Sequence, residues 1–247
     1  MNIVAIVQAR VGSTRLPNKI FYELSGKPLI WHVINRLKIS KRLTDIVIAT
    51  TENILDDKLA LWADKNEVKL FRGSETNVLN RYYNAAIYFG ADIIVRITAD
   101  DPFKDAIVMD SVIDMVCMDS IDFGFNNKPA SFPEGLDIEV FTFHALQKAH
   151  SNSIDSFEQE HVTQYFHRNP SQFSMKNLTY KDNLSHLRWT IDTIDDYNMT
   201  CAIYEELYNP DNIFLLPEIL TLLKKKPEIT LINNNVERSI MYKNCKP

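Results

Sequence analysis

The sequence predicts an α/β fold in which a mostly parallel sheet is covered by helices on both faces. Through the first half of the chain, short apolar runs alternate with longer segments of helical periodicity, which is the order of β-α-β units. The apolar runs are nearly continuous, as expected for strands that are buried on both faces. Ligands bind such sheets at the carboxyl ends of the strands, so a site is expected there.

The predicted elements follow one another without a linker, a repeat or a low-complexity segment. The first half has predicted strands at residues 3–7, 45–49, 68–71 and 92–98, and predicted helices at 28–39, 55–66, 78–89 and 106–118. The alternation then breaks, and we predict a loop at 124–137, strands at 138–143, 173–178 and 187–191, and helices at 156–168, 195–207 and 216–225. We predict a single domain, residues 1–247, with a core of about 1–120 and 185–225 and a substrate-binding insertion of about 121–184.

Composition indicates an ordinary globular protein and limits its partners. Of the 247 residues, 45% are hydrophobic and 24% charged, and the net charge of −5 leaves no broad basic surface for nucleic acid. Cys117, Cys201 and Cys245 fit neither a zinc spacing nor a disulfide framework, which favours a reducing compartment. The chain opens on a core strand instead of a signal peptide, and no apolar run reaches membrane-spanning length. We therefore predict a cytoplasmic enzyme with neither a membrane nor a nucleic-acid partner.

The segment after the first strand has the composition of a polyphosphate cradle. Gly12 allows the backbone to approach an anion closely, and Ser13 and Thr14 can donate hydrogen bonds. Residues 8–19 also carry three cations, Arg10, Arg15 and Lys19. The glycine spacings of dinucleotide-binding and P-loop motifs are both missing, and a solvated basic turn is the alternative. We favour a nucleoside triphosphate site at this strand end.

An acidic pair, Asp100 and Asp101, follows the predicted strand at residues 92–98. Carboxylates there suit Mg²⁺, which usually takes one or two carboxylates together with phosphate oxygens. The alternative is that one of the pair caps a helix beginning near Pro102. We predict that Asp100 is a metal ligand.

A second acidic sequence ends the predicted strand at residues 187–191. Asp192 follows that strand directly, and we expect Asp195 or Asp196 to cap the next helix. Two carboxylates from distant strand ends are what a metal ion between phosphates needs. Asp192 is therefore the second predicted metal ligand.

Seven sequence strings, in order between residues 8 and 193, resemble one enzyme family. They read QARVGSTRLPNK, ATTE, FRGSETNVLNRY, VRITADDPF, FPEGLDIEVF, EHVT and LSHLRWTIDT. Through them the chain resembles the SpsF-like cytidylyltransferases of spore-coat polysaccharide type, a family related to CMP-Kdo synthetases and acylneuraminate cytidylyltransferases. Only the C-terminal tail falls outside the likeness.

The resemblance implies a GT-A-like, Rossmann-related fold that binds CTP and Mg²⁺ and transfers CMP to a small sugar-like acceptor with release of pyrophosphate. It implies catalytic roles for Arg10, Arg15 and Lys19, and metal binding by Asp100 and Asp192. The nucleotide-binding residues that it implies are Gln8, Ala9, Arg10, Gly12, Ser13, Arg15, Lys19, Arg72 and Gly73, with Arg72 matching an arginine that lies near the cytosine in acylneuraminate enzymes. Thr190 and Ile20 depart from the acylneuraminate pattern, so acceptor recognition need not follow theirs.

Acceptor recognition is assigned to the insertion and the strand beside it. The predicted substrate-binding residues are Arg96, Glu134, Asp137 and Glu160. Arg96 is a charge inside an apolar strand and needs a partner, either an acceptor anion or a nearby acidic side chain. We interpret His161 as a structural histidine in preference to a base. Nonulosonic acids, phosphorylated sugars and polyol phosphates are all candidate acceptors, and we expect a homodimer formed through the insertion.

Two other functions agree with parts of the pattern. A GT-A-type glycosyltransferase would use Asp100 and Asp101 as its metal motif and consume a nucleotide-sugar without releasing pyrophosphate, but a triphosphate loop would then be superfluous. A catalytically silent nucleotide-binding regulator would not need both acidic sites together with three loop cations. The sequence therefore favours a Mg²⁺-dependent cytidylyltransferase.

Overall fold

A seven-stranded sheet runs through the protein, which a computed structural model describes at residues 1–13 and 15–239. Thr14 and Cys245 lie outside these residues. The strand order is β5-β4-β1-β6-β8-β7-β9. The strands are β1 (Ile3–Gln8), β4 (Asp45–Thr51), β5 (Lys69–Gly73), β6 (Ile93–Thr98), β7 (Phe123–Phe125), β8 (Glu139–Thr142) and β9 (Met175–Asn177), and a separate hairpin pairs β2 (Glu23–Leu24) with β3 (Lys27–Pro28).

The first four strands of the large sheet are parallel, and this half of the sheet positions the site. β1 lies between β4 and β6 and pairs in parallel with both. β8 runs antiparallel to β6 and to β7, and β7 and β9 are again parallel. The carboxyl ends of β1, β4 and β6 therefore meet at one edge of the sheet, with residues 8–19 leaving from its centre.

Helices cover both faces, as the continuous apolar strands predict. Along β1, Val4 and Ile6 pack into one buried cluster while Ala5 and Val7 pack into the other. The helices are α1 (Leu29–Leu37), α2 (Asp57–Lys65), α3 (Val78–Tyr88), α4 (Ala106–Met118), α5 (Phe143–Asn152), α6 (Ser156–Glu160), α7 (Gln164–Arg168), α8 (Ile194–Leu207) and α9 (Leu216–Lys225). Within the described ranges, none of the helices has the length and apolar character needed to cross a membrane.

The second half of the chain differs from the prediction in several places. The predicted helix at residues 156–168 is two helices, α6 and α7, because Val162 between them has a left-handed backbone, with φ 46°. The segment at 187–191 is not a strand, although Trp189 and Ile191 are buried. Its amides bond to loops instead: the Trp189 N–H donates to the Glu134 carbonyl, and the Ile191 N–H to that of Asp100.

Three short strands and one helix lie outside the prediction. The β2–β3 hairpin and α5 are absent from the sequence prediction, and β7 begins before the predicted loop at residues 124–137 and takes its first two residues. Residues 121–184 add β7, β8 and β9 to the sheet that contains β6, so this segment is continuous with the parallel half. The division into a core and an insertion stays a prediction.

Gly135 is expected to be intolerant of a side chain. Its φ is +102°, and a Cβ atom there would lie 2.7 Å from the Thr190 amide nitrogen. We expect Gly135→Ala to lower the free energy of unfolding by about 3 kcal/mol or more, because backbone strain and a backbone clash add. Gly90→Ala is the matched control: φ is +62° but no atom lies within 4 Å. Its cost should be about 1 kcal/mol, and equal losses for the two variants in urea unfolding would contradict the expectation.

Candidate active site

The loop after β1 turns Lys19 inward while leaving two arginines exposed. The Val11 carbonyl accepts from the amides of Ser13 and Asn18, which folds the loop back on itself. Asn18 has a left-handed backbone, with φ 59°, and a 3-10 helix, Lys19–Phe21, begins directly after it. Lys19 is thereby buried, whereas Arg10 and Arg15 remain largely open to solvent. The loop presents two exposed cations at its rim and one buried cation at its base.

The Lys19 ammonium joins the two carboxylates that were predicted as metal ligands. Its Nζ donates to Asp100 Oδ2 at 2.7 Å, to Asp192 Oδ1 at 2.9 Å and to the Ile191 carbonyl at 2.7 Å. Burial alone would lower the pKa of Lys19, but the charges of Asp100 and Asp192 outweigh it and raise that pKa above its ordinary value. Burial alone would raise the pKa of Asp100, but the charge of Lys19 and its hydrogen bond outweigh burial and lower that pKa. Lys19 and Asp100 are therefore both charged at neutral pH.

Asp192 is fixed from its other side by Arg188, which the sequence analysis did not assign to the site. Arg188 NH2 donates to Asp192 Oδ2 at 3.1 Å, while its other nitrogens contact Glu134 Oε1 at 2.8 Å and Asp196 Oδ1 at 2.9 Å. Burial opposes the charge of Arg188, but these three carboxylates raise its pKa and keep it protonated. Arg15 NH2 also lies 2.9 Å from Asp192 Oδ1. Asp192 thus has one orientation that three cations define.

Asp101 faces away from Lys19 and into the protein. Its Oδ2 accepts from the Thr98 hydroxyl at 2.5 Å and lies 2.8 Å from the ammonium of Lys104, a fully buried lysine that also donates to the Asp137 carbonyl. Burial is the main cause that raises the pKa of Asp101 to about 6, with Lys104 opposing and Asp100 and Asp137 adding to the rise. Asp101 is therefore a structural carboxylate beneath the site.

The alternative role considered for Asp100 and Asp101 was a helix cap, and neither residue has that role. Asp105 caps α4 by accepting from the amides of Ile107 and Val108, so neither Asp100 nor Asp101 does so. At the second site Thr193 caps α8, and Asp196 completes a capping box with it. Asp195, the other expected cap, is exposed.

A cavity of about 200 Å³ lies over Lys19 at the carboxyl edge of the sheet. Its lining includes most of the predicted loop residues and both predicted metal ligands: Gln8, Ala9, Arg10, Ser13, Arg15, Lys19, Asp100 and Asp192. The Gln8 Oε1 atom is buried without a hydrogen-bond partner in the described part of the chain, so this polar wall is incompletely satisfied. The structure therefore brings the loop after β1 and both predicted metal ligands together in one cavity.

Arg72 and Gly73 line a second opening of about 550 Å³, between the ends of β4 and β5. Arg10 NH1 reaches Glu75 Oε1, on the wall of this opening, at 4.0 Å, so the arginine spans the two spaces. The Arg72 guanidinium donates to the Thr51 carbonyl at 2.8 Å, the Asn53 carbonyl at 2.8 Å and Asp57 at 2.6 Å. Arg72 holds the segment after β4 in place, and its assignment to nucleotide binding stays a prediction.

The four predicted acceptor residues do not lie together. Arg96 contacts Glu139 at 2.5 Å, which answers the question of its partner, and Glu139 also accepts from the Thr163 hydroxyl at 2.8 Å. Glu134 is buried between Arg188 and Arg238, whose Nε lies 2.6 Å from it. Asp137 accepts from the Gly135 amide, and Glu160 is exposed at the end of α6. Their role in acceptor binding stays a prediction.

Asp100 and Asp192 have a donor set that fits one divalent cation. Both carboxylates approach a single ammonium nitrogen within 2.9 Å, which shows that they can share one positive charge. Across the described ranges no group of three or more acidic, histidine or cysteine side chains could hold a metal ion. Mg²⁺ needs only one or two carboxylates when phosphates and water supply the other ligands, so this pair fits Mg²⁺ in that mode.

Parallel strands whose first member opens into a cationic loop, with two carboxylates beside that loop, are typical of enzymes that bind nucleotide phosphates, and the match to a family profile makes the protein a nucleotidyltransferase. A sequence profile described as Cytidylyltransferase matches residues 4–225. The chain belongs to the cytidylyltransferase family.

Similar proteins agree over nearly the whole length of the chain. Protein MJ1063 of Methanocaldococcus jannaschii is 36% identical over 242 residues, which are 96% of this chain and 97% of that one. The spore coat polysaccharide biosynthesis protein SpsF of Bacillus subtilis is 30% identical over 234 residues, covering 92% and 96%. A solved cytidylyltransferase from Leptospira borgpetersenii is 34% identical, with a TM-score of 0.89 and coverage of 97% and 99%. These likenesses confirm the predicted family and fold class.

Proposed function

We propose that the protein transfers CMP from CTP to a small sugar-like acceptor in a Mg²⁺-dependent reaction that releases pyrophosphate. The observation that carries the proposal is that Lys19, Asp100 and Asp192 converge in the lining of one cavity, together with Arg10, Ser13 and Arg15 of the loop after β1. This cavity therefore offers cations for a triphosphate and carboxylates for a metal ion. Family membership makes cytidine the nucleoside that we propose.

The loop residues bind and orient the triphosphate. Arg10 and Arg15 are exposed guanidinium groups that can rotate onto phosphate oxygens, and the Gly12 amide and the Ser13 hydroxyl can donate to them. Lys19 is fixed at the base of the cavity by its three contacts. These three cations favour the negative charge that develops on the departing pyrophosphate.

The two carboxylates of the cavity would hold the metal ion. Asp100 and Asp192 would bind Mg²⁺, which supplies charge stabilisation at the phosphate oxygens when it is bound. A bond forms between the acceptor oxygen and the α-phosphorus of CTP while the bond to pyrophosphate breaks. Arg188 keeps Asp192 oriented toward Lys19, so the protein's part in this step is orientation and electrostatics.

We propose further that the product serves surface polysaccharide or glycoconjugate biosynthesis, because the name of the Bacillus subtilis relative connects that protein with spore coat polysaccharide. Nonulosonic acids, sugar phosphates and polyol phosphates are the acceptor classes to test, with Arg96, Glu134, Asp137 and Glu160 proposed for their recognition. A cytoplasmic homodimer is the proposed form of the enzyme.

The test is pyrophosphate release with CTP, compared with UTP, ATP and GTP, in the presence of Mg²⁺ and pooled acceptors of the three classes. We expect release that depends on an acceptor and on CTP, and that stops when EDTA is added. Splitting the active pool then names the acceptor. Release with another nucleotide in preference to CTP, or consumption of a nucleotide-sugar without pyrophosphate, would contradict the proposal.

A further inference from the structure

Asp56 is a buried carboxylate whose two oxygens connect the loop after β1 with the end of β4. Only 2% of its surface is exposed. Its Oδ1 accepts from the Val11 amide at 2.7 Å. Its Oδ2 accepts from the Thr51 amide at 3.2 Å and from the Thr51 hydroxyl. A carboxylate taken out of water in this way is tolerated because each oxygen has a donor.

The hydrogen bond to the Val11 amide is well placed to fix the conformation of the loop. Val11 lies between Arg10 and Gly12 in the chain. The direction of its N–H fixes the peptide plane that joins it to Arg10, and thereby the backbone from which Arg10 turns toward the cavity. In the described part of the loop, the other backbone hydrogen bonds at residues 11–18 connect loop residues to one another. The bond from Val11 to Asp56 is instead a connection to the segment between β4 and α2, 45 residues away.

The segment that carries Asp56 is also fixed from the β5 side of the site. Arg72 donates to the carbonyls of Thr51 and Asn53, and the Glu52 amide donates to the Gly73 carbonyl at 3.2 Å. The triphosphate cavity and the opening beside Arg72 are therefore joined through residues 51–57. Asp56 itself lines neither space.

We propose that Asp56 is a positioning residue for the nucleotide: through the Val11 amide it sets the phosphate-binding loop in register with the Arg72 side of the site. The inference rests on the proposed function, because it takes the occupant of the cavity to be a nucleoside triphosphate. Asp56 touches no ligand and acts through backbone groups of the loop. Its loss should therefore weaken nucleotide binding more than it slows the bound complex.

The test compares Asp56→Asn with Asp64→Asn, which makes the same charge change at an exposed position of α2. Asparagine keeps the shape of the side chain, but its NH2 group cannot accept a hydrogen bond. One of the donors to Asp56 therefore loses its acceptor. We expect the Kd for CTP, measured by calorimetry, and the KM for CTP to rise about tenfold in Asp56→Asn, with kcat within about threefold of wild type. Amide hydrogen exchange at Val11 in the nucleotide-free protein should also accelerate. Asp64→Asn should match wild type in all of these.

The result that overturns the inference is faster exchange at Val11 with unchanged CTP affinity, or unchanged exchange at Val11. If Asp56→Asn does not fold, Thr51→Val serves instead: it removes the hydroxyl that donates to Oδ2 and that also accepts from the Asn53 amide at 3.1 Å, and we expect the CTP Kd to rise about threefold. Unchanged CTP affinity in a folded Thr51→Val variant would overturn the inference equally. A wild-type protein that neither binds nor consumes CTP would refute the proposed function itself. The measurements on the wild-type protein therefore distinguish that failure from a failure of the inference about Asp56.

Discussion

Asp192→Asn is expected to lower kcat/KM for CTP by about a thousandfold, since it removes a charged ligand from the position where phosphate and metal charge must be balanced. The fold should persist, because Lys19 keeps Asp100 and the Ile191 carbonyl, and Arg188 keeps Glu134 and Asp196. Pyrophosphate release with the acceptor identified from the pools measures the loss, and thermal unfolding checks the fold.

Asp195→Asn is the matched control for this variant. Asp195 lies three residues away in the first turn of α8, is exposed and faces no residue of the cavity. Its replacement should leave kcat/KM within about twofold of wild type, since a surface charge at a helix start contributes only a few tenths of a kcal/mol. Wild-type turnover in Asp192→Asn would remove Asp192 from the proposed mechanism.

Lys19→Met is expected to reduce both stability and activity. Without the ammonium, Asp100 and Asp192 lose their shared cation in a poorly solvated place, and we expect a loss of about 3 kcal/mol in the free energy of unfolding at neutral pH. Turnover should fall by about a hundredfold or more, because the fixed cation at the base of the triphosphate site is gone. Arg15→Met, at an exposed side chain that contacts the same Asp192 oxygen, should reduce activity and leave stability within about 0.5 kcal/mol.

The stability penalty of Lys19→Met should depend on pH. In the wild-type protein the lowered pKa of Asp100 means that the pairing stabilises the fold above the ordinary carboxyl pKa, and that this contribution is lost as the pH falls through the lowered value. The raised pKa of Lys19 extends the same contribution on the alkaline side until the pH passes that pKa. The difference between wild type and variant should therefore be largest near neutrality and shrink as the pH falls through the lowered pKa of Asp100, where the wild-type protein loses the pairing. A difference independent of pH in urea titrations would show that lost packing, not charge, is the cause.

The sequence predicts those parts of the site that depend on strand order. Lys19 and Asp100 follow β1 and β6, which pair in parallel and end at one edge of the sheet. Asp192 follows an apolar run that forms no strand, and the bond from the Ile191 amide to the Asp100 carbonyl brings it to the same edge. Asp56 and Arg188 have no such signal. Each is a charged residue whose partners lie far along the chain, and only tertiary packing decides that it is buried and what it contacts.

The fold errors have a similar cause. Residues 187–191 alternate as a strand does, but the Trp189 and Ile191 amides find loop carbonyls and no ladder is formed. The helix at 156–168 is broken by a left-handed Val162, a conformation that no propensity favours for a β-branched residue. In contrast, the sequence contains a signal for the start of α5, because Thr142 is a residue type that favours helix caps and it caps α5 by accepting from the Ala145 amide.

The bridge that Lys19 makes between Asp100 and Asp192 has a consequence for the energetics of catalysis. Two carboxylates 92 residues apart in sequence repel each other, and bringing them together without a counter-ion is unfavourable. Here the chain carries its own counter-ion, so that repulsion is overcome when the protein folds and not when the substrate arrives. Substrate binding then becomes a rearrangement of charges within an assembled site, and more of its free energy is left to favour the transition state over the ground state.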